Sequence, residues 1–177
     1  MDKLRNYHLI ILFIALLFSQ GFIYGQDWNK IDSLKNMNFN ETDSIQIVKN
    51  YYEIASCFQN YDVDSSLFYS SKGMSISDSI NYIHGSAELY YNIAHCYYRT
   101  CQYKLSLSNF NSAVSLFTIS GDSLYLMKCY NNIGALFSFG NNQPSSLEFY
   151  LKSLKIAEQL HDTLGLANCY NNIGYLY

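Results

Sequence analysis

Tyr90-Tyr91-Asn92-Ile93-Ala94, Tyr130-Asn131-Asn132-Ile133-Gly134 and Tyr170-Asn171-Asn172-Ile173-Gly174 are one phrase written three times at a constant interval. A looser copy, Tyr51-Tyr52-Glu53-Ile54-Ala55, stands before the first at an interval one position shorter. A second series, Ser66-Leu67, Ser106-Leu107 and Ser146-Leu147, keeps the full interval throughout. The residue missing from the first copy therefore falls between Ile54 and Ser66. A turn between two packed helices tolerates such an indel. Self-similarity at a fixed period of roughly 40 residues marks a repeat array.

Within each unit the apolar spacing is helical. Tyr90, Ile93, Ala94 and Tyr97 form an i, i+3, i+4, i+7 stripe, and Tyr130, Ile133, Gly134 and Phe137 repeat it. Leu107, Phe110, Ala113, Val114 and Phe117 make a second stripe in the same unit. Cys101-Gln102 and Gly140-Asn141-Asn142-Gln143-Pro144 interrupt the pattern between stripes, while Asp122 and Asp162 offer a side-chain oxygen to cap the next helix start. Each unit thus reads helix–turn–helix, and only stacking of units buries both stripes. The units run 44–82, 83–122 and 123–162, with a partial unit at 163–177. Residues 26–43 read as a leading helix, Trp28 to Met37, and a polar link.

Composition agrees. Of 177 residues 49% are apolar, 17% aromatic and only 14% charged, which excludes intrinsic disorder. One Pro and nine Gly argue against a many-turned β-sandwich. A formal net charge of −3 argues against nucleic acid as a partner.

Residues 1–25 read as an address. Lys3 and Arg5 precede an apolar run from Leu9 to Phe18, and Ser19, Gln20, Gly21 and Gly25 lead to an exit before Gln26. This is the layout of a secretory signal peptide, and the run is short of the roughly 20 residues of a membrane span. An uncleaved signal anchor is the alternative. Cleavage removes one negative and two positive charges, moving the net charge from −3 to −4. The expected location is outside the cytoplasm, periplasmic or extracellular, with no direct membrane binding by the mature array.

Tyr90, Ile93, Ala94, Tyr97, Tyr103, Phe110 and Ala113 resemble the tetratricopeptide-repeat pattern, and Tyr130, Ile133, Gly134, Phe137, Tyr150 and Ser153 match it again. Ser66, Ser106 and Ser146 stand where the family usually has Ala. The usual repeat has about 34 residues and is closed by Pro. These units are longer and close with Gly-Asp or His-Asp. That resembles the longer repeats of kinesin light chains and of periplasmic sensor regions in bacterial signalling proteins. HEAT and armadillo repeats have a similar length but fit the small and tyrosine positions less well. The resemblance covers residues 44–177 and implies an all-α, right-handed superhelical solenoid of tandem helix–turn–helix repeats. It also implies that the array binds a protein or peptide.

Little enzymatic chemistry is legible. Cys57 and Cys96 occupy one repeat position, as do Cys129 and Cys169, which marks them as packing residues; Cys101, in a turn, is the expected exposed thiol. No CxxC, HExxH, GxSxG, P-loop or GxGxxG occurs, so neither an enzyme nor a metal or other cofactor is expected.

The candidate site is a ladder of asparagines. Asn92, Asn132 and Asn172 recur one residue before the Ile–small pair, with Glu53 in the first unit. Helical geometry places them off the buried stripe on each unit's first helix. The resemblance implies that this helix lines a concave groove and that such an Asn grips a peptide backbone. A carboxamide donates and accepts, so it can pair with any peptide amide. The alternative, that each Asn bonds a neighbouring helix, stays open. Tyr91, His95 and Arg99 in one unit and Asn131 in the next lie beside the ladder and complete the candidate groove. The expected function is peptide binding as the extracytoplasmic input of a bacterial signalling protein that continues past Tyr177. A passive scaffold in an envelope assembly is the alternative.

Overall fold

The computed structural model describes residues 28–38 and 41–177. The expected leader at 1–25 lies outside the described residues. Residues 28–38 form a helix, α1, in a unit of their own. The unit Glu41–Tyr177 holds α2 (Ser44–Phe58), α3 (Val63–Ser79), α4 (Ile83–Arg99), α5 (Tyr103–Ser120), α6 (Ser123–Phe139), α7 (Gln143–Leu160) and α8 (Thr163–Gly174). Every described element is helical, and the architecture is the all-α solenoid expected from the repeats. Among the described residues no helix is long and apolar enough to cross a membrane.

Helix starts are set by local chemistry. Asp43, Asp62, Asp122, Asn142 and Asp162 each accept a backbone N–H of the first turn through the side chain, satisfying donors that the helix itself cannot. Pro144 stands in the first turn of α7, where its missing N–H costs nothing. Helix ends reuse one device. Asn81, Gly121 and His161 close the second helices, and Cys101 and Asn141 follow the first helices, all in the left-handed region with φ between 53° and 76°. The one-residue deletion is absorbed at α2, which has 15 residues where α4 and α6 have 17.

Within each unit the second helix is pinned to the first by a repeated bond. The hydroxyls of Ser66, Ser106 and Ser146 donate to the carbonyls of Ala55, Ala94 and Gly134, each at 2.8 Å. The serine is therefore a fastener as well as a small residue, and the hydroxyl finds an acceptor in an otherwise apolar seam. At Gly134 the approach is so close that an added Cβ would lie 2.6 Å from the Tyr150 ring. Ala87, Ala94, Phe110, Ala113, Phe117, Cys129, Ile133 and Leu136 form a buried cluster running through α4, α5 and α6.

The array is curved. Among first helices α2 approaches α4 and α6 approaches α8, while α4 and α6, like the second helices α3, α5 and α7 among themselves, have no comparable backbone approach. First helices therefore line the inner face. Tyr52 on α2 reaches across α4 to Tyr125 on α6, their hydroxyls 3.0 Å apart.

Candidate functional site

The three rungs of the asparagine ladder have three different environments. Asn92 is 1% exposed, and its Nδ2 donates to Ser66 Oγ at 3.0 Å and Ser70 Oγ at 2.9 Å. The expectation that it stands off the buried stripe is corrected: Asn92 ties α4 to α3. Ser70 explains why, because later units place Phe110 and Tyr150 at that position. Two small hydroxyl residues leave room for a carboxamide and offer it acceptors, whereas an aromatic ring does neither.

Asn132 meets Phe110 instead of a serine and turns to the inner face. Its Nδ2 lies 3.2 Å from His95 Nε2 and 3.4 Å from the Tyr91 hydroxyl. Asn172 meets Tyr150, and its Nδ2 donates to Asn131 Oδ1 at 2.9 Å. Arg99 is drawn elsewhere. Its Nη2 donates to the Asn60 carbonyl at 2.7 Å, bracing the turn after α2 against the end of α4.

The junction between α4 and α6 is filled by rings. Tyr91 lies 4.7 Å from His95, 5.4 Å from Tyr125 and 5.8 Å from Phe110, and Tyr125 stacks on Phe117 at 4.8 Å. Burial in this cluster pushes His95 down to about 4 and raises the Tyr91 hydroxyl, since desolvation disfavours the charged form of each. Beside it Glu88 lies 3.7 Å from His84, and burial holds its carboxyl above the ordinary range.

The junction between α6 and α8 is open. One repeat on, Tyr91 is replaced by Asn131, His95 by Ala135 and Tyr125 by Gly165. A cavity of about 210 Å³ results, and its lining includes Tyr91, Met127, Lys128, Asn131, Asn132 and Asn168. Lys128 is its cation, with Nζ 4.8 Å from the Tyr125 ring centre. Three carboxamides, a phenol and an ammonium thus converge on one concave, half-apolar place, a donor and acceptor set that suits a polypeptide backbone. Of the candidate residues, the structure brings Tyr91, Asn131 and Asn132 to this cavity. His95 packs behind Tyr91, Asn172 lines a neighbouring cavity, and Asn92 and Arg99 are committed to packing.

Lys128 and Asn168 are the site residues that the ladder does not include. They share a register, Lys49, Glu88, Lys128 and Asn168, one helical turn before the ladder. That series was the available signal, since residues at i and i+4 share a helix face. Among the described residues no group of three or more His, Cys, Asp or Glu side chains is placed to hold a metal ion. Cys96, Cys129 and Cys169 are buried, Cys57 is half-buried, and Cys101 is exposed.

Comparison with known proteins bears on the fold. Residues 85–159 match the tetratricopeptide repeat family. No curated protein sequence matches the chain. Among solved structures, BtubC (BKLC) from P. vanneervenii is similar over 93% of this chain and 70% of its own, with 16% identity and a TM-score of 0.77. Aspartyl phosphate phosphatase F from Bacillus subtilis has the same identity and TM-score over 86% of this chain, which spans 41% of that protein. A putative kinesin light chain with nearly identical TPR-like repeats from Podosopora anserina is 12% identical, with a TM-score of 0.61 over 90% of this chain and 84% of that one. The matched segment is under half of the chain, and the architecture shared with these structures is that of a tetratricopeptide-like all-α solenoid.

Proposed function

We propose that the chain is a non-catalytic protein-binding array that takes an extended peptide along the inner face of α6 and α8, as the extracytoplasmic input portion of a bacterial signalling protein. The open junction carries the binding half of this reading. Its lining combines Lys128 with the carboxamides of Asn131, Asn132 and Asn168 beside apolar Met127, whereas the preceding junction is filled by the chain's own rings. Tetratricopeptide repeats generally mediate contacts between proteins, which supports the same reading. The signalling half rests on the leader-like residues 1–25 and on the resemblance of long repeats to exported sensor regions.

The binding half is tested by selecting peptides from a displayed library against the purified chain. A Lys128→Ala/Asn131→Ala variant should bind the selected peptides at least about ten-fold more weakly, since a few central residues carry most binding energy. Arg99→Ala should bind them unchanged. Failure to select any peptide, or equal binding by the double variant, overturns the reading. Export is tested by fractionating bacteria that express a C-terminally tagged chain. A full-length cytoplasmic product removes the extracytoplasmic role.

A further inference from the structure

The filled junction is an internal template for what the open one lacks. At the filled junction the His95 ring stands edge-on to Phe110, 5.2 Å between centres and 82° between planes, and its Nε2 lies 3.2 Å from Asn132 Nδ2. One repeat later Ala135, Tyr150 and Asn172 occupy the places of His95, Phe110 and Asn132. Ala135 brings no ring, and a cavity of about 510 Å³ opens there, lined in part by Tyr98, Ala135, Ser138, Asn141, Tyr150 and Asn172. Asn172 Nδ2, without a histidine ring at position 135, donates sideways to Asn131 Oδ1 at 2.9 Å. Every residue lining this cavity is uncharged.

We infer that this cavity seats an aromatic side chain of the bound peptide whose ring edge carries a hydrogen-bond acceptor, a histidine or a tyrosine. The inference rests on the peptide-binding reading above. The incoming ring takes the place that His95 fills one repeat earlier, edge-on to Tyr150, an arrangement favoured by the ring quadrupoles. Its acceptor receives the Asn172 Nδ2–H, and Asn131 Oδ1 is released to accept from the peptide backbone. An aliphatic side chain would fill space but leave the Asn172 amide dependent on Asn131. A charged one would find no counter-charge in the lining.

The test uses isotope-labelled chain and four blocked, glycine-flanked tripeptides centred on histidine, tyrosine, phenylalanine or leucine. Binding is read from the backbone amide of Ala135 and the side-chain amide of Asn172 by NMR. The histidine and tyrosine peptides should bind at least about five-fold more tightly than the leucine peptide, with phenylalanine between. Ala135→His, which supplies the ring from within, should abolish the shifts at unchanged helix content. Asn172→Ala should bring histidine and tyrosine down to the phenylalanine level. Equal binding of the leucine peptide, undiminished shifts in Ala135→His, or no loss in Asn172→Ala overturns the aromatic seat. Library-selected peptides that depend on Lys128 and Asn131, with no tripeptide shifting Ala135, would sink the seat and leave the peptide-binding role. Tripeptide binding with no library peptide selected would keep the aromatic seat and confine binding to this cavity, overturning the extended groove along Lys128 and Asn131.

Discussion

The junctions α4–α6 and α6–α8 are built on the same repeat and end in opposite states. The first is filled by Tyr91, His95 and Tyr125, and Tyr125 also reaches Tyr52 two units away. The second carries Asn131, Ala135 and Gly165 at those positions and is hollow. Their backbones are held alike, through the serine bonds from α5 to α4 and from α7 to α6. What differs is a handful of side chains facing inward. A solenoid can therefore make one stretch of its inner face into core and leave the next as an open cavity without changing the fold. Each unit's stability comes in large part from contacts with its neighbours, which are kept at both junctions.

Removing the ring that seals the filled junction is the hardest blow to this contrast. Tyr125→Ala should lower unfolding free energy by about 3 kcal/mol, as large-to-small changes at well-packed aromatic sites do. Asn131→Ala, at the hollow junction, should cost under about 1 kcal/mol. Urea denaturation of the two variants decides it. Equal losses would mean that the aromatic cluster adds no rigidity and that the two junctions differ only in shape.

Acid should weaken the filled junction next. His95 takes a proton near pH 4 in the folded chain, against an ordinary value of 6.5. Because the folded value is the lower one, protonation favours unfolding. The His95 contribution is complete above pH 6.5 and declines as pH falls toward 4, by roughly 3 kcal/mol at most. Glu88 works in the opposite sense, since burial raises its carboxyl and protonation relieves that cost. The comparison is therefore between the natural chain and His95→Gln, each measured at about pH 7 and about pH 4.5. The variant should lose less stability on acidification, and identical losses would remove His95 from the account.

The smallest of these effects sharpens the contrast between the ladder's first two rungs. Asn92→Ala strips the donor from two buried serine hydroxyls and should cost roughly 1–3 kcal/mol without altering peptide binding. Asn132→Ala should cost less than about 1 kcal/mol in thermal or chemical denaturation and weaken binding of library-selected peptides. If both substitutions behave alike, the rungs are not specialised.

The repeat phrase, read alone, was enough to place the helices, the turns between them and the capping residues Asp122 and Asp162. It also identified the cysteine positions 96, 129 and 169 as interior, because periodic recurrence of small apolar residues records a shared buried environment. The ladder was less legible. Asn92 and Asn132 are identical in residue and register, yet the first is bonded to Ser70 in the interior and the second turns to His95 on the inner face. That difference lies in the preceding unit's second helix, far from each Asn along the chain. Pattern reading also discounts departures from the repeat, and Ala135 and Gly165, which open the junction, are such departures.

Sequence by itself determined that the chain is a stack of helical pairs, because hydrophobic periodicity and turn chemistry act over a few residues and are repeated often enough to be certain of their phase. Tertiary structure alone decided which copy of a repeated residue is locked into packing and which turns to the inner face. Burial of a polar group depends on the partner packed against it, and in a stacked array that partner belongs to a different repeat.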